Sequence, residues 1–237
     1  MEKKDYSPIV ILHGWNLSPF VYSDLKRLLE EKGYAVFVPT LPGFGKEQTL
    51  SRTFTLDDYV LTVVDFFARN HMKRAIIIGH SFGGRIALKL AATVPSLVES
   101  LVLTGVPGVK TEGKIRLSFF FVLAKVGKYV SFFFPQSLQD VLRKLIYKLA
   151  RTSDYPKTSG FLRKTFQSII AEDLTEFFPR ITCPVILVWG KKDRIVPVQV
   201  AEKMITLFPQ AQLSVVEGEA HALPCHSSEV FLREARL

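Results

Sequence analysis

Short, uninterrupted apolar runs alternate along this chain with longer segments in which apolar residues recur every three or four positions. The runs at residues 9–12, 35–38, 75–78, 100–103 and 185–188 lack a polar face, and residues 213–216 resemble them. Such runs suit strands covered on both sides, as in a parallel sheet. Helical patterns lie between them. Ser18-Pro19 reads as an N-cap followed by a first-turn proline, with Val21, Leu25, Leu28 and Leu29 on one face and Gly33 as the stop. Thr55 and Asp58 predict a capping box leading into a stripe of Leu56, Val60, Val63, Val64 and Phe67. Pro197 opens another helix, with Ala201, Met204, Ile205 and Phe208 inward. Strand and helix in alternation imply right-handed crossovers and a doubly wound sheet with helices on both faces. Ligands then bind at the carboxyl ends of the strands.

The alternation stops between residues 109 and 179, where helical periodicity takes over. Within residues 137–151, Leu138, Val141, Leu142, Leu145, Ile146 and Leu149 face one way, and Arg143, Lys144, Lys148 and Arg151 the other. The expected organisation is a core built from residues 1–108 and 179–237, carrying an inserted helical cap at 109–178.

Composition narrows the class. With 237 residues, 48% hydrophobic and 22% charged, the chain is too apolar for disorder and large enough for a core that needs no staples. Cys183 and Cys225 therefore read as ordinary thiols, not a disulfide framework. The start Met-Glu-Lys-Lys-Asp leads into no long apolar region, so no secretory signal is expected. The longest charge-free stretch, residues 6–23, is broken by Pro8, Gly14, Asn16 and Pro19, and no transmembrane segment is expected. The net charge is +9, and its location matters more than its size. Residues 110–164 hold 12 basic and 3 acidic side chains, whereas the rest of the chain holds 19 of each sign. The whole surplus falls in the expected cap.

The chemistry is carried by Ile76-Ile77-Ile78-Gly79-His80-Ser81-Phe82-Gly83-Gly84, an apolar strand running through G-x-S-x-G into a helix. A serine on so sharp a turn needs small neighbours two positions either side, which Gly79 and Gly83 supply. The turn also sets Ser81 at a helix N-terminus, where free N–H groups stabilise developing negative charge. A serine hydroxyl needs a base, and the base needs a group to orient it. His13 ends the first strand, His71 follows a helix, and His80 beside the serine points away. His221, after the last strand run, is the best base. His226 lies farther on, where the terminal helix begins. Asp193, in the loop between a strand and the Pro197 helix, is the candidate acid; Glu217 and Glu219, so close to His221 in sequence, are the weaker alternatives. The Phe82 and Trp15 backbone N–H groups are the candidate oxyanion donors.

Together these motifs resemble the α/β-hydrolases: His13-Gly14-Trp15 after an early strand, Leu41-Pro42-Gly43-Phe44-Gly45 after the next, the Gly-His-Ser-Phe-Gly-Gly elbow, Gly190-Lys191-Lys192-Asp193-Arg194-Ile195-Val196-Pro197, and the late Glu219-Ala220-His221. The resemblance spans residues 7–108 and 179–237. It implies an α/β-hydrolase fold, a predominantly parallel sheet of about six strands with helices on both faces and an inserted helical cap, and a Ser81, His221, Asp193 triad. A serine at position 81 separates the chain from dehalogenase and epoxide hydrolase branches, which carry aspartate there.

The implied activity is that of a carboxylesterase-type serine hydrolase working through an acyl-enzyme. Thioesterase and acyltransferase chemistry use the same parts, and a non-catalytic binding protein on this scaffold is the rival from another class. A cap rich in Phe, Leu and Val favours a small-molecule ester with an apolar acyl part. The basic face of Arg143, Lys144, Lys148 and Arg151 has three readings: a solvated helix face, a contact with an anionic membrane surface, or a dock for an acidic carrier protein. The last echoes the esterases that demethylate pimeloyl-carrier-protein ester, which the His-Gly-Trp motif and helical cap resemble. Nucleic acid is not expected as a partner, because the basic surplus has no binding motif. No cofactor and no metal are expected; a site of His221, Cys225 and His226 would compete with the triad. The expected location is cytoplasmic, with a peripheral place on a membrane as the alternative.

Overall fold

The computed structural model describes residues 6–45, 50–109 and 160–237. Within them six strands form one sheet: β1 (Ile9–Leu12), β2 (Val36–Phe37), β3 (Ala75–His80), β4 (Val98–Thr104), β5 (Val185–Gly190) and β6 (Ala211–Val216). Their order is β2-β1-β3-β4-β5-β6, and every neighbouring pair is parallel. This is the six-stranded fold that the sequence implied.

The absence of alternation in the inner strands has a simple cause. Successive side chains still point to opposite faces, but each face meets an apolar layer. Val10, Leu12, Ala75 and Ile77 enter one core, with the helices α2 (Leu56–Arg69), α3 (Phe82–Thr93) and α5 (Val198–Ile205). Ile9, Ile11, Ile76 and Ile78 enter the other, with α1 (Ser23–Glu31) and α6 (Ser228–Ala235). The run at 213–216 differs: β6 is an edge strand whose residues are half-buried or exposed, with Val215 at 36%.

The first helix also departs from expectation. Residues Pro19–Tyr22 form a 3-10 turn, with the Ser18 hydroxyl accepting the Phe20 N–H, before the α-helix begins at Ser23. Three residues per turn rotate the face, so Tyr22 points inward and Val21 outward, while Leu25 and Leu29 are buried as expected. The capping box of α2 forms in both directions: the Asp58 N–H donates to the Thr55 hydroxyl at 3.3 Å, and the Thr55 N–H to the Asp58 carboxylate at 2.7 Å.

The helix α4 (Gly160–Ala171) falls between β4 and β5, inside the expected insertion. Its Thr165 hydroxyl accepts the Phe54 N–H at 2.8 Å, tying it to the approach to α2. Arg143, Lys144, Lys148 and Arg151 lie outside the described residues. Among the described residues, no helix is long and apolar enough to cross a membrane.

Candidate active site

Parallel register brings the carboxyl ends of β1, β3 and β4 to one edge, with Gly79 paired to Leu12 and to Leu103. There the chain turns from His80 through Ser81 into α3. Ser81 has φ 51 and ψ −113, a backbone conformation that costs a non-glycine residue on the order of 1–3 kcal/mol. Two bonds hold it: its N–H donates to the Thr104 carbonyl at 2.9 Å, and its carbonyl accepts the Gly84 N–H at 3.1 Å.

The neighbouring glycines are required by packing. A Cβ at Gly83 would stand 2.0 Å from the Leu12 carbonyl oxygen, and one at Gly79 would stand 2.6 Å from the Gly84 Cα. The start of α3 is therefore pressed against the end of β1, beside the His13-Gly14-Trp15 turn. The Trp15 and Phe82 rings, whose backbone amides are the candidate oxyanion donors, meet edge to face at 5.1 Å. Trp15 also meets Phe44 at 4.9 Å and Phe166 of α4 at 4.9 Å.

At the same edge, the loop after β5 carries Asp193 and the loop after β6 carries His221. The Asp193 Oδ2 accepts from His221 Nδ1 at 2.7 Å. Its Oδ1 accepts the Ile195 and Val196 N–H groups, each at 2.9 Å. With one oxygen fixed by backbone and the other on the imidazole, the carboxylate, on a side chain only 1% exposed, has one orientation. The two loops are sewn together by the Lys192 N–H to Glu219 carbonyl bond at 2.7 Å and by Gly190, where a Cβ would stand 2.6 Å from the Ala220 carbonyl oxygen. Glu217 pairs with the Lys191 ammonium, and Glu219 accepts the Ser227 hydroxyl, so neither partners the His221 ring.

The loops that carry Asp193 and His221 meet the elbow at two points. His80 Nε2 bonds the His221 carbonyl at 3.0 Å, and the His80 and His221 rings are 5.2 Å apart. Gly105, with φ 58, directly follows the Thr104 that holds Ser81, and a Cβ there would stand 2.7 Å from His221 Cε1. Sequence reasoning missed Gly105, although a glycine just past a strand end is the available signal. It also missed Tyr22, whose hydroxyl bonds His80 Nδ1 at 2.7 Å and accepts the Gly14 N–H at 3.1 Å. Burial, reinforced by the facing His221, drives the His80 pKa down to about 3, and burial lowers that of His13. Both rings are neutral structural groups. Burial pushes the Cys225 thiol up to about 11, far from reactive thiolate character. Among the described residues, no cluster of three or more His, Cys, Asp or Glu side chains could hold a metal ion.

A parallel sheet with a strained serine at a strand-to-helix elbow, and a histidine–aspartate pair on the following loops, is the architecture of a hydrolase-type enzyme. The chain belongs to the alpha/beta hydrolase family, whose pattern matches residues 9–234. The pimeloyl-[acyl-carrier protein] methyl ester esterase of Aliivibrio fischeri is 27% identical, covering 97% of this chain and 92% of its own. An uncharacterised hydrolase of Bacillus subtilis is 25% identical, covering 91% of this chain and 84% of its own. Among solved structures, an esterase from Exiguobacterium antarcticum superposes with a TM-score of 0.74 at 22% identity, covering 98% of this chain and 91% of its own.

Proposed function

We propose that this protein is a serine hydrolase that cleaves carboxylic esters through an acyl-enzyme, with Ser81, His221 and Asp193 as its triad. The observation that carries the reading is the Asp193–His221 hydrogen bond at 2.7 Å on loops docked against the elbow that holds Ser81 at φ 51. Because the Asp193 carboxylate accepts the hydrogen bond from Nδ1–H and so keeps the proton on that nitrogen, the neutral His221 ring presents a bare Nε2. That nitrogen removes the Ser81 proton as Oγ attacks the ester carbonyl. The Trp15 and Phe82 N–H groups stabilise the tetrahedral oxyanion. As the intermediate collapses, the bond to the alcohol oxygen breaks and His221 returns the proton to the departing alcohol. Water then enters, gives a proton to His221 and attacks the acyl carbon. Ser81 leaves with that proton, and the carboxylic acid is released.

The rings of Trp15, Phe44, Phe82 and Phe166 beside the elbow favour an ester with an apolar acyl part. A second reading, acyl transfer or thioester cleavage on a carrier-bound acyl group, is favoured by the likeness to an enzyme named for a carrier-protein ester and by the basic surplus at residues 110–164. In that reading Arg143, Lys144, Lys148 and Arg151 meet the acidic carrier.

Labelling with a fluorophosphonate probe tests the chemistry. The folded wild type should label and hydrolyse p-nitrophenyl esters, and Ser81→Ala should lose both, with turnover down by roughly 10³-fold or more. Folded wild-type protein that fails to label would leave a non-catalytic binding protein. Across an acyl-length series, short to medium chains should turn over fastest; equal rates at all lengths would argue against a shaped acyl pocket.

A further inference from the structure

The peptide unit joining Gly14 to Trp15 carries the Trp15 N–H on one side and the Gly14 carbonyl on the other. Being planar and trans, it points the two in opposite directions, so whatever fixes the carbonyl also aims the N–H. The Gly14 carbonyl is bonded to His13 Nδ1 at 2.9 Å and accepts the Leu17 N–H at a longer 3.2 Å. The other nitrogen of that ring, Nε2, accepts the Leu41 N–H at 3.0 Å and therefore carries no proton. A neutral His13 must then hold its proton on Nδ1, facing the Gly14 oxygen. Burial, which lowers the His13 pKa, supports the neutral form.

The preceding amide is held as well. The Gly14 N–H donates to the Tyr22 hydroxyl at 3.1 Å. That hydroxyl bonds His80 Nδ1 at 2.7 Å, and His80 Nε2 bonds the His221 carbonyl at 3.0 Å. A carbonyl can only accept, so His80 carries its proton on Nε2 and Tyr22 donates to Nδ1. Every proton along this path has one consistent place. It runs without a break from the loop after β2, through the oxyanion turn, to the backbone of the base loop.

We infer that His13 is a positioning residue for ester hydrolysis: its Nδ1 proton locks the Gly14 carbonyl toward the ring and so aims the Trp15 N–H at the oxyanion. This rests on the acyl-enzyme reading above. Without the lock, the Gly14 carbonyl keeps only the longer Leu17 bond, and the Gly14–Trp15 peptide can tilt its N–H out of line and turn its carbonyl dipole toward the negative charge that the N–H would stabilise. The ring acts through the backbone and touches no substrate.

The test separates the two nitrogens. Asn at position 13 can place an amide N–H where Nδ1 stands and keep the bond to the Gly14 oxygen, whereas Gln reaches the Nε2 position and keeps only the Leu41 bond. His13→Gln and His13→Leu should lower kcat by roughly 10²-fold with KM within about threefold, and His13→Asn should recover kcat to within about tenfold of wild type. Equal losses for Asn and Gln, or a loss confined to KM, would overturn the role. Ester turnover that survives Ser81→Ala would instead overturn the acyl-enzyme reading, an outcome distinct from Ser81-dependent turnover indifferent to the choice at position 13. Should the variants not fold, the ¹⁵N chemical shifts of the wild-type ring decide: a proton on Nδ1 is required, and a proton on Nε2 refutes the lock.

Discussion

Two buried polar arrays brace α3, the helix that Ser81 opens, and they are built from opposite materials. At its N-terminal end the array is neutral: His13, Tyr22 and His80, all buried, each giving and receiving hydrogen bonds. Farther along, it is ionic. The Arg85 guanidinium donates to the carbonyls of Pro107, of Ile169 at 2.9 Å and of Glu172 at 2.7 Å. The Lys89 ammonium lies 2.7 Å from both Asp57 and Glu172. A group with one proton and one lone pair fixes direction, which suits a turn whose backbone groups must be aimed. A group that only donates gathers acceptors from several segments. Arg85 collects them from where the chain leaves β4 and from where α4 ends, so it ties α4 to the loop after β4 and to α3. The neutral array has a consistent place for each proton, while among the described residues the Arg85 Nε is left without a partner.

Acid should attack the neutral array first, and this is the largest effect expected. The His80 pKa lies near 3 in the folded protein, pushed down mainly by burial, against 6.5 for an ordinary histidine. Between those values the unfolded chain binds the proton and the folded one does not, so stability falls as pH falls. The contribution is complete above about pH 6.5 and is lost progressively toward pH 3, with a limiting slope of about 1.4 kcal/mol per pH unit for each such histidine. His13, shifted the same way, adds to it. Arg85, lowered by burial to about 10, and Lys89 stay charged throughout this window; for Lys89, ion pairs with Asp57 and Glu172 outweigh a larger single burial effect and raise its pKa. Urea midpoints measured at pH 7.5 and 5 should differ sharply. A flat profile would mean that the histidines titrate normally and that the comparison is wrong.

Arg85→Met should break the ionic array with little effect on chemistry. It removes three donors from the carbonyls of Pro107, Ile169 and Glu172, a loss of about 3 kcal/mol in unfolding free energy. Well below the melting temperature, the rate of Ser81 labelling should fall by less than about threefold. A labelling loss larger than the stability loss explains would show that this array aims the nucleophile too.

How legible these arrays were in the sequence follows from how local their signals are. The elbow was readable because a strand, two spaced glycines and a helix stand within one short stretch. Asp193 and His221 were readable because each follows a strand run, and the loop order places them at one sheet edge. The stripe of α2 was readable through its capping box. What could not be read is what depends on packing between distant segments. Val21 was expected inward, but a 3-10 turn rotated Tyr22 into its place. The run at 213–216 looked like an inner strand because hydrophobicity does not record whether a neighbour exists on the far side. His13, His80 and Arg85 carry no local mark of their roles; their partners lie up to 141 residues away, as with the His80 bond to the His221 carbonyl.

Tyr22→Phe makes the smallest and sharpest cut between the arrays. It removes one oxygen from a fully buried ring, leaving the Gly14 N–H and His80 Nδ1 without their partner. Two unsatisfied groups, each at the low end of the usual cost, should take about 2 kcal/mol in total, less than Arg85→Met because two hydrogen bonds are lost and not three, and the ring still fills its space. Turnover should nevertheless fall further than for Arg85→Met, by about tenfold in kcat, because the freed Gly14 amide belongs to the turn that carries the Trp15 donor. The informative quantity is the ratio of activity lost to stability lost: high for Tyr22→Phe and low for Arg85→Met if the neutral array sets direction and the ionic array supplies anchorage. Measured by steady-state kinetics and urea unfolding on the same preparations, equal ratios would erase the distinction and leave both arrays as structural supports of one kind.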